Sequence, residues 1–133
     1  MNQITKRLTQ GQDLKTEIEK MLAEYDVEAG VILSVVGSLK PAVLRMPVVE
    51  FGKPIIRTWD EEFEIVSATG VVSKYGHHIH LSVSNIEGKV YGGHLKPGCL
   101  VRTTCELVIL KFDDARFKRI KDPQTGYEEL VVE

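Results

Sequence analysis

Apolar residues recur at helical spacing in one early stretch of the chain and in short β-type runs over most of the rest. Between Gln12 and Tyr25, residues Leu14, Ile18, Met21, Leu22 and Tyr25 form one face of a 3.6-residue period, and Lys15, Glu17, Glu19, Lys20 and Glu24 form the other. Asp13 falls in the first turn of this expected helix, where its charge favours the helix dipole. Gly30 to Ser38 is apolar nearly throughout, the pattern of a strand buried on both faces, although periodicity alone leaves a helix open there. Pro41, Pro47 and Pro54 punctuate short extended segments. Glu61 to Ser73, His77 to Ser84, Lys89 to Leu95 and Leu100 to Phe112 are rich in Val, Ile, Thr and aromatics and read as strands; Glu128 to Val132 is a candidate edge strand. One early helix against these strands predicts an α+β architecture, a mainly antiparallel β-sheet packed with one principal N-terminal helix.

The chain has 133 residues, a length for one domain. At 43% hydrophobic and 27% charged it has an ordinary globular composition, which excludes collagen-like, mucin-like and wholly disordered classes. Seventeen basic and nineteen acidic side chains give a net charge of -2, without the positive excess of a compact nucleic-acid binder. The first twenty residues are too polar for a signal peptide and no segment has the length of a membrane span, so the expected location is cytoplasmic. Cys99 and Cys105 lie in one strand-like run, about 20 Å apart at roughly 3.3 Å per residue. That is beyond disulfide reach, so both are expected to be reduced.

All four histidines lie within eighteen residues, in His77-His78-Ile79-His80 and Gly92-Gly93-His94. On a strand His78 and His80 share a face, with Cα atoms about 7 Å apart, close enough for two imidazoles to converge on one ion. Whether His94 joins them depends on the register across the turn at Asn85-Ile86-Glu87-Gly88. If Ser84 pairs with Lys89, His94 falls opposite Ile79, on the wrong face. An odd-length loop, with Ser84 opposite Val90, puts His94 across from His80. A bulge at Gly92 or Gly93 would do the same. A three-histidine site with an open fourth position would leave room on zinc for water or substrate. The alternatives are a solvated polar strand face or histidines bonded at a subunit interface.

Glu62 and Glu64 alternate onto one strand face, and Glu106 lies inside an apolar strand, where burial would require a partner. Arg45 is a candidate for that partner, as a structural ion pair or as an anion-binding group. Lys111, Arg116, Lys118, Arg119 and Lys121 form a basic cluster interleaved with Phe112 and Phe117 but diluted by Asp113, Asp114 and Asp122. It reads as a solvated surface or as a phosphate-contacting patch. The chain contains no Arg-Gly-Arg-Pro, phosphate-cradling glycine loop, Cys-x-x-Cys pair or Gly-x-Ser-x-Gly elbow.

Taken in order, Gly11-Gln12-Asp13-Leu14, Gly37-Ser38-Leu39 with Ala42, Leu44 and Arg45, Phe63-Glu64-Ile65 with Ser67 and Gly70, His78-Ile79-His80, Gly88 and Gly92-Gly93-His94-Leu95 resemble the plants-and-prokaryotes-conserved (PPC) domain. The resemblance runs from Gly11 to Glu106. It implies an α+β fold with a mainly antiparallel sheet, assembly as a homotrimer, and the three-histidine site of prokaryotic members at His78, His80 and His94. Plant members carry a DNA-contacting AT-hook that this sequence lacks, and their protein-contacting Phe-Glu-Ile segment usually begins with glycine where Glu61 stands here.

The expected function is a stand-alone homotrimeric PPC-domain protein with a divalent metal, zinc, at those histidines, acting as a regulatory or DNA-associated interaction module whose partners are itself and DNA or a regulatory protein. A second expectation is a metal-dependent hydrolase or lyase acting on a small polar substrate, with Glu64 or Glu106 as general base. A third is direct nucleic-acid binding through Lys111, Arg116, Lys118, Arg119 and Lys121.

Overall fold

The computed structural model describes residues 1–133. The elements run β1 (Asn2–Thr9), α1 (Leu14–Glu24), β2 (Gly30–Leu39), β3 (Ala42–Glu50), β4 (Lys53–Trp59), β5 (Phe63–Ser73), β6 (Gly76–Ser84), β7 (Val90–Leu95), β8 (Val101–Lys111), β9 (Phe117–Lys121) and β10 (Glu128–Val132). Strands β1 to β8 form one sheet in the order β1-β8-β2-β5-β6-β7-β3-β4, with every pairing antiparallel. Strands β9 and β10 form a separate two-stranded ribbon. This is the expected α+β fold, with two strands, β1 and β9, that the apolar pattern did not announce.

Helix α1 buries Leu14, Ile18, Met21 and Leu22 in a core shared with Leu8, Leu39, Phe63, Ile79, Leu81 and Leu107. Asp13 is the residue before the helix, not part of its first turn. Its carboxylate accepts from the Thr16 backbone at 3.0 Å and from Gly98 N at 2.6 Å, so one side chain caps the helix and ties it to the chain entering β8.

Strand β2 departs from expectation. It is central, between β8 and β5, yet Leu33 and Val36 are each 56% exposed. Strand β8 pairs Ile32 with Ile109 and Ser34 with Val108, which leaves Leu33 as the extra residue of a bulge. Only one face of this strand is covered within the chain. Cys105 lies in β8 and Cys99 just before it; both are free and buried.

Candidate metal centre

The β6–β7 hairpin decides where the histidines meet. Asn85 to Lys89 make a five-residue loop, so Ser84 pairs with Val90 and His80 with His94. The ladder runs through Gly92 and Gly93 without interruption, so loop length sets the register and no bulge is needed. Asn85 fixes the loop: its side-chain oxygen accepts from Glu87 N at 3.0 Å and Lys89 N at 2.9 Å, and its carbonyl accepts from Gly88 N at 2.9 Å. Gly88 has φ +80°, a conformation that glycine adopts without steric cost.

Ile79, Leu81 and Val83 point into the core, and His78 and His80 take the other face of β6. The ring centroids of His78, His80 and His94 are separated by 4.7 Å, 5.2 Å and 5.8 Å. One ring nitrogen from each lies within 4.8 Å of the other two, and the Nε2 atoms of His78 and His80 are 3.0 Å apart. Nitrogens bound tetrahedrally to one zinc are roughly 3.3 Å apart, so small side-chain adjustments suffice to enclose an ion. The electrostatics agree. Burial, with Arg45 next, pushes His94 down to about 4, and burial, with His80 next, lowers His78. Both rings are therefore neutral at neutral pH, the form that ligates metal. His77 is not part of the cluster; its Nε2 meets Glu19 of α1 at 3.0 Å.

Neither glutamate proposed as a base reaches these rings. Glu64 is aligned with Ser84, four residues or about 13 Å along β6 from His80. Glu106, on β8, is separated from β6 by β2 and β5. Arg45 does not pair with Glu106 either. It lies opposite His94 in the β3–β7 ladder, with its Nη2 3.3 Å from His94 Nδ1 and its guanidinium 5.7 Å from the Tyr127 ring centre. In the sheet order β2, β5, β6 and β7 lie between β8 and β3.

The basic cluster is divided among several partners. Arg116 bonds Glu28 at 3.1 Å, Lys118 meets Glu133 at 3.3 Å, and Lys111 donates to the Tyr25 carbonyl at 2.8 Å. Arg119 instead faces the histidines. It lines a cavity of about 380 Å³ with Arg45, His77, His78, His94, Lys96, Tyr127, Glu128 and Glu129. Glu128 to Val132 is a strand, as expected, but it pairs with β9, not with the main sheet. Tyr127, Glu128 and Glu129 were invisible as site residues because nothing in their local pattern announces that the tail folds back over β6.

Residues 1–113 match the Plants and Prokaryotes Conserved (PCC) domain. The bifunctional protein GlmU of Synechococcus sp. strain JA-2-3B'a(2-13) is 42% identical over 127 residues, 96% of this chain and 20% of that protein, so the chain spans about a fifth of this relative's length. A hypothetical protein from Salmonella is 32% identical with a TM-score of 0.92, covering 99% of this chain and 93% of that one. A metal-containing protein from Archaeoglobus fulgidus is 31% identical with a TM-score of 0.85, covering 98% of this chain and 94% of that one. The fold, the order of its motifs and the match over residues 1–113 together show that the chain belongs to the Plants and Prokaryotes Conserved domain family.

Proposed function

We propose that this chain is a metal-binding PCC-domain protein that holds a divalent cation, zinc, on His78, His80 and His94 and works as a homotrimeric regulatory or DNA-associated interaction module. The observation that carries the reading is the convergence of three ring nitrogens within 4.8 Å, set by the five-residue loop. Three imidazoles suit zinc and leave its fourth position open. The metal-containing relative from Archaeoglobus fulgidus supports the same reading. Trimer formation is supported by the family resemblance and by the exposed apolar face at Leu33 and Val36, which a neighbouring subunit would cover.

Metal analysis of untagged protein tests this function. Wild type should retain about one zinc per chain after dialysis and the H78A/H80A/H94A variant none; equal, negligible zinc, manganese, nickel and iron in both would reject it.

A second reading, a metal-dependent enzyme for a small polar substrate, is favoured by the charged cavity beside the histidines. Bound zinc would supply a water of pKa about 7. Glu128 and Glu129, not Glu64 or Glu106, are the carboxylates that line this cavity.

A further inference from the structure

Arg45 and His94 form a contact that a bound metal cannot leave intact. A guanidinium only donates hydrogen bonds, so at 3.3 Å the Nδ1 of His94 is the acceptor and the proton of the neutral ring sits on Nε2. A metal taking Nε2 needs that proton on Nδ1, where it would point N–H at the N–H of Arg45. A metal taking Nδ1 uses the lone pair that Arg45 occupies. Either way Arg45 loses its partner, beside a newly arrived dication. Its Nε is already buried without a hydrogen bond.

The surrounding cavity carries a net positive charge. Lys96 and Arg119 line it with Arg45, and none of the three makes an ion pair with a carboxylate. Arg119 has only a long 3.5 Å bond to the Val71 carbonyl. Glu128 and Glu129 also line the cavity, so three cations face two carboxylates before any metal enters. A volume of about 380 Å³ falls in the range of small-molecule sites.

We propose that the histidine centre takes a small oxyanion, a carboxylate or phosphate group, held by Arg45 and Arg119 against the metal's open position. Arginine suits the role because its planar fork can donate two parallel hydrogen bonds to such a group. The inference rests on the metal-binding reading for the third point of attachment, while the two arginines are present without it.

The test titrates inorganic phosphate and, separately, acetate into wild type, R45M and R119M by calorimetry at low ionic strength. Each protein is used both zinc-loaded and chelator-stripped, with zinc content measured in parallel. Methionine keeps much of the arginine stem's bulk, so packing is largely preserved. The expected result is saturable binding of at least one anion to zinc-loaded wild type, weakened about tenfold or more in R45M and in R119M with zinc content unchanged. Preference between phosphate and acetate identifies which oxyanion group the site takes. Full zinc content with no anion binding, or with equal binding in all three proteins, overturns the proposal and leaves the metal site standing. If no protein holds zinc, the stripped samples decide: anion binding lost in R45M and R119M keeps the oxyanion site and rejects the metal, and no binding rejects both.

Discussion

Arg45 stands directly across the β3–β7 ladder from His94, at a place where the two strands approach over a glycine. A Cβ on Gly93 would lie 2.7 Å from the Arg45 carbonyl oxygen and 3.0 Å from Leu44 Cβ. Backbone oxygen cannot yield as a flexible side chain can, so G93A must push β3 away from β7. The variant is expected to lose about 1–3 kcal/mol of stability, the usual range for overpacking, read as a lower urea midpoint. An unchanged midpoint would mean that the strands have more slack than this contact implies.

Acid should destabilise the metal-free protein through His94. Its folded pKa, held down to about 4 chiefly by burial, lies below its ordinary 6.5. As pH falls through 6.5 the unfolded chain takes the proton first. Stability contributed by the neutral ring is therefore lost between about 6.5 and 4 and levels off below that window. The melting temperature of chelator-treated wild type should fall over this range, and H94A should show a shallower decline. Parallel profiles for the two proteins would contradict this assignment.

Cys99 and Cys105 should be poor nucleophiles while the fold is intact. Burial pushes each thiol up to about 11, and neither is accessible. At pH 8 only roughly one thiol in a thousand is ionised, so iodoacetamide should label the native protein far more slowly than the urea-unfolded chain. Rapid labelling of native protein, counted by mass spectrometry, would show that β8 opens readily.

The apolar residues exposed on neighbouring strands β2 and β5 make assembly testable. Leu33, Val36 and Val66 are each more than half exposed. If a second subunit covers them, L33D/V36D should shift the mass measured by light scattering from three chains to one while the circular dichroism spectrum stays the same. A wild type that is already a monomer would remove the trimer reading.

Much of this molecule was legible in local pattern. The stripe from Leu14 to Leu22 marked the helix, and alternation placed His78 and His80 on one face of their strand. Parity arithmetic reduced the third histidine to alternatives that the structure could decide, and the Asn85–Lys89 loop decided them. Non-local relationships were harder to read. Chemistry alone pairs Arg45 with Glu106, whereas strand order puts it beside His94. In the sequence Arg119 is one basic residue among five; only the placement of the β9–β10 ribbon brings it to the histidines. The apolar run in β2 correctly marked a central strand but not its open face, because a chain's own sequence does not say whether a second copy is needed to cover it.

The five-residue loop also limits how this hairpin can vary. Side chains on a strand alternate, so lengthening the loop by two residues can keep His94 on the side of His80, whereas one residue sends it to the helix side unless a bulge restores the phase. The loop thus behaves as a parity check on the centre. In related chains its length should change in even steps wherever all three histidines are kept, and an odd step should be accompanied by an irregular strand or by loss of the third histidine.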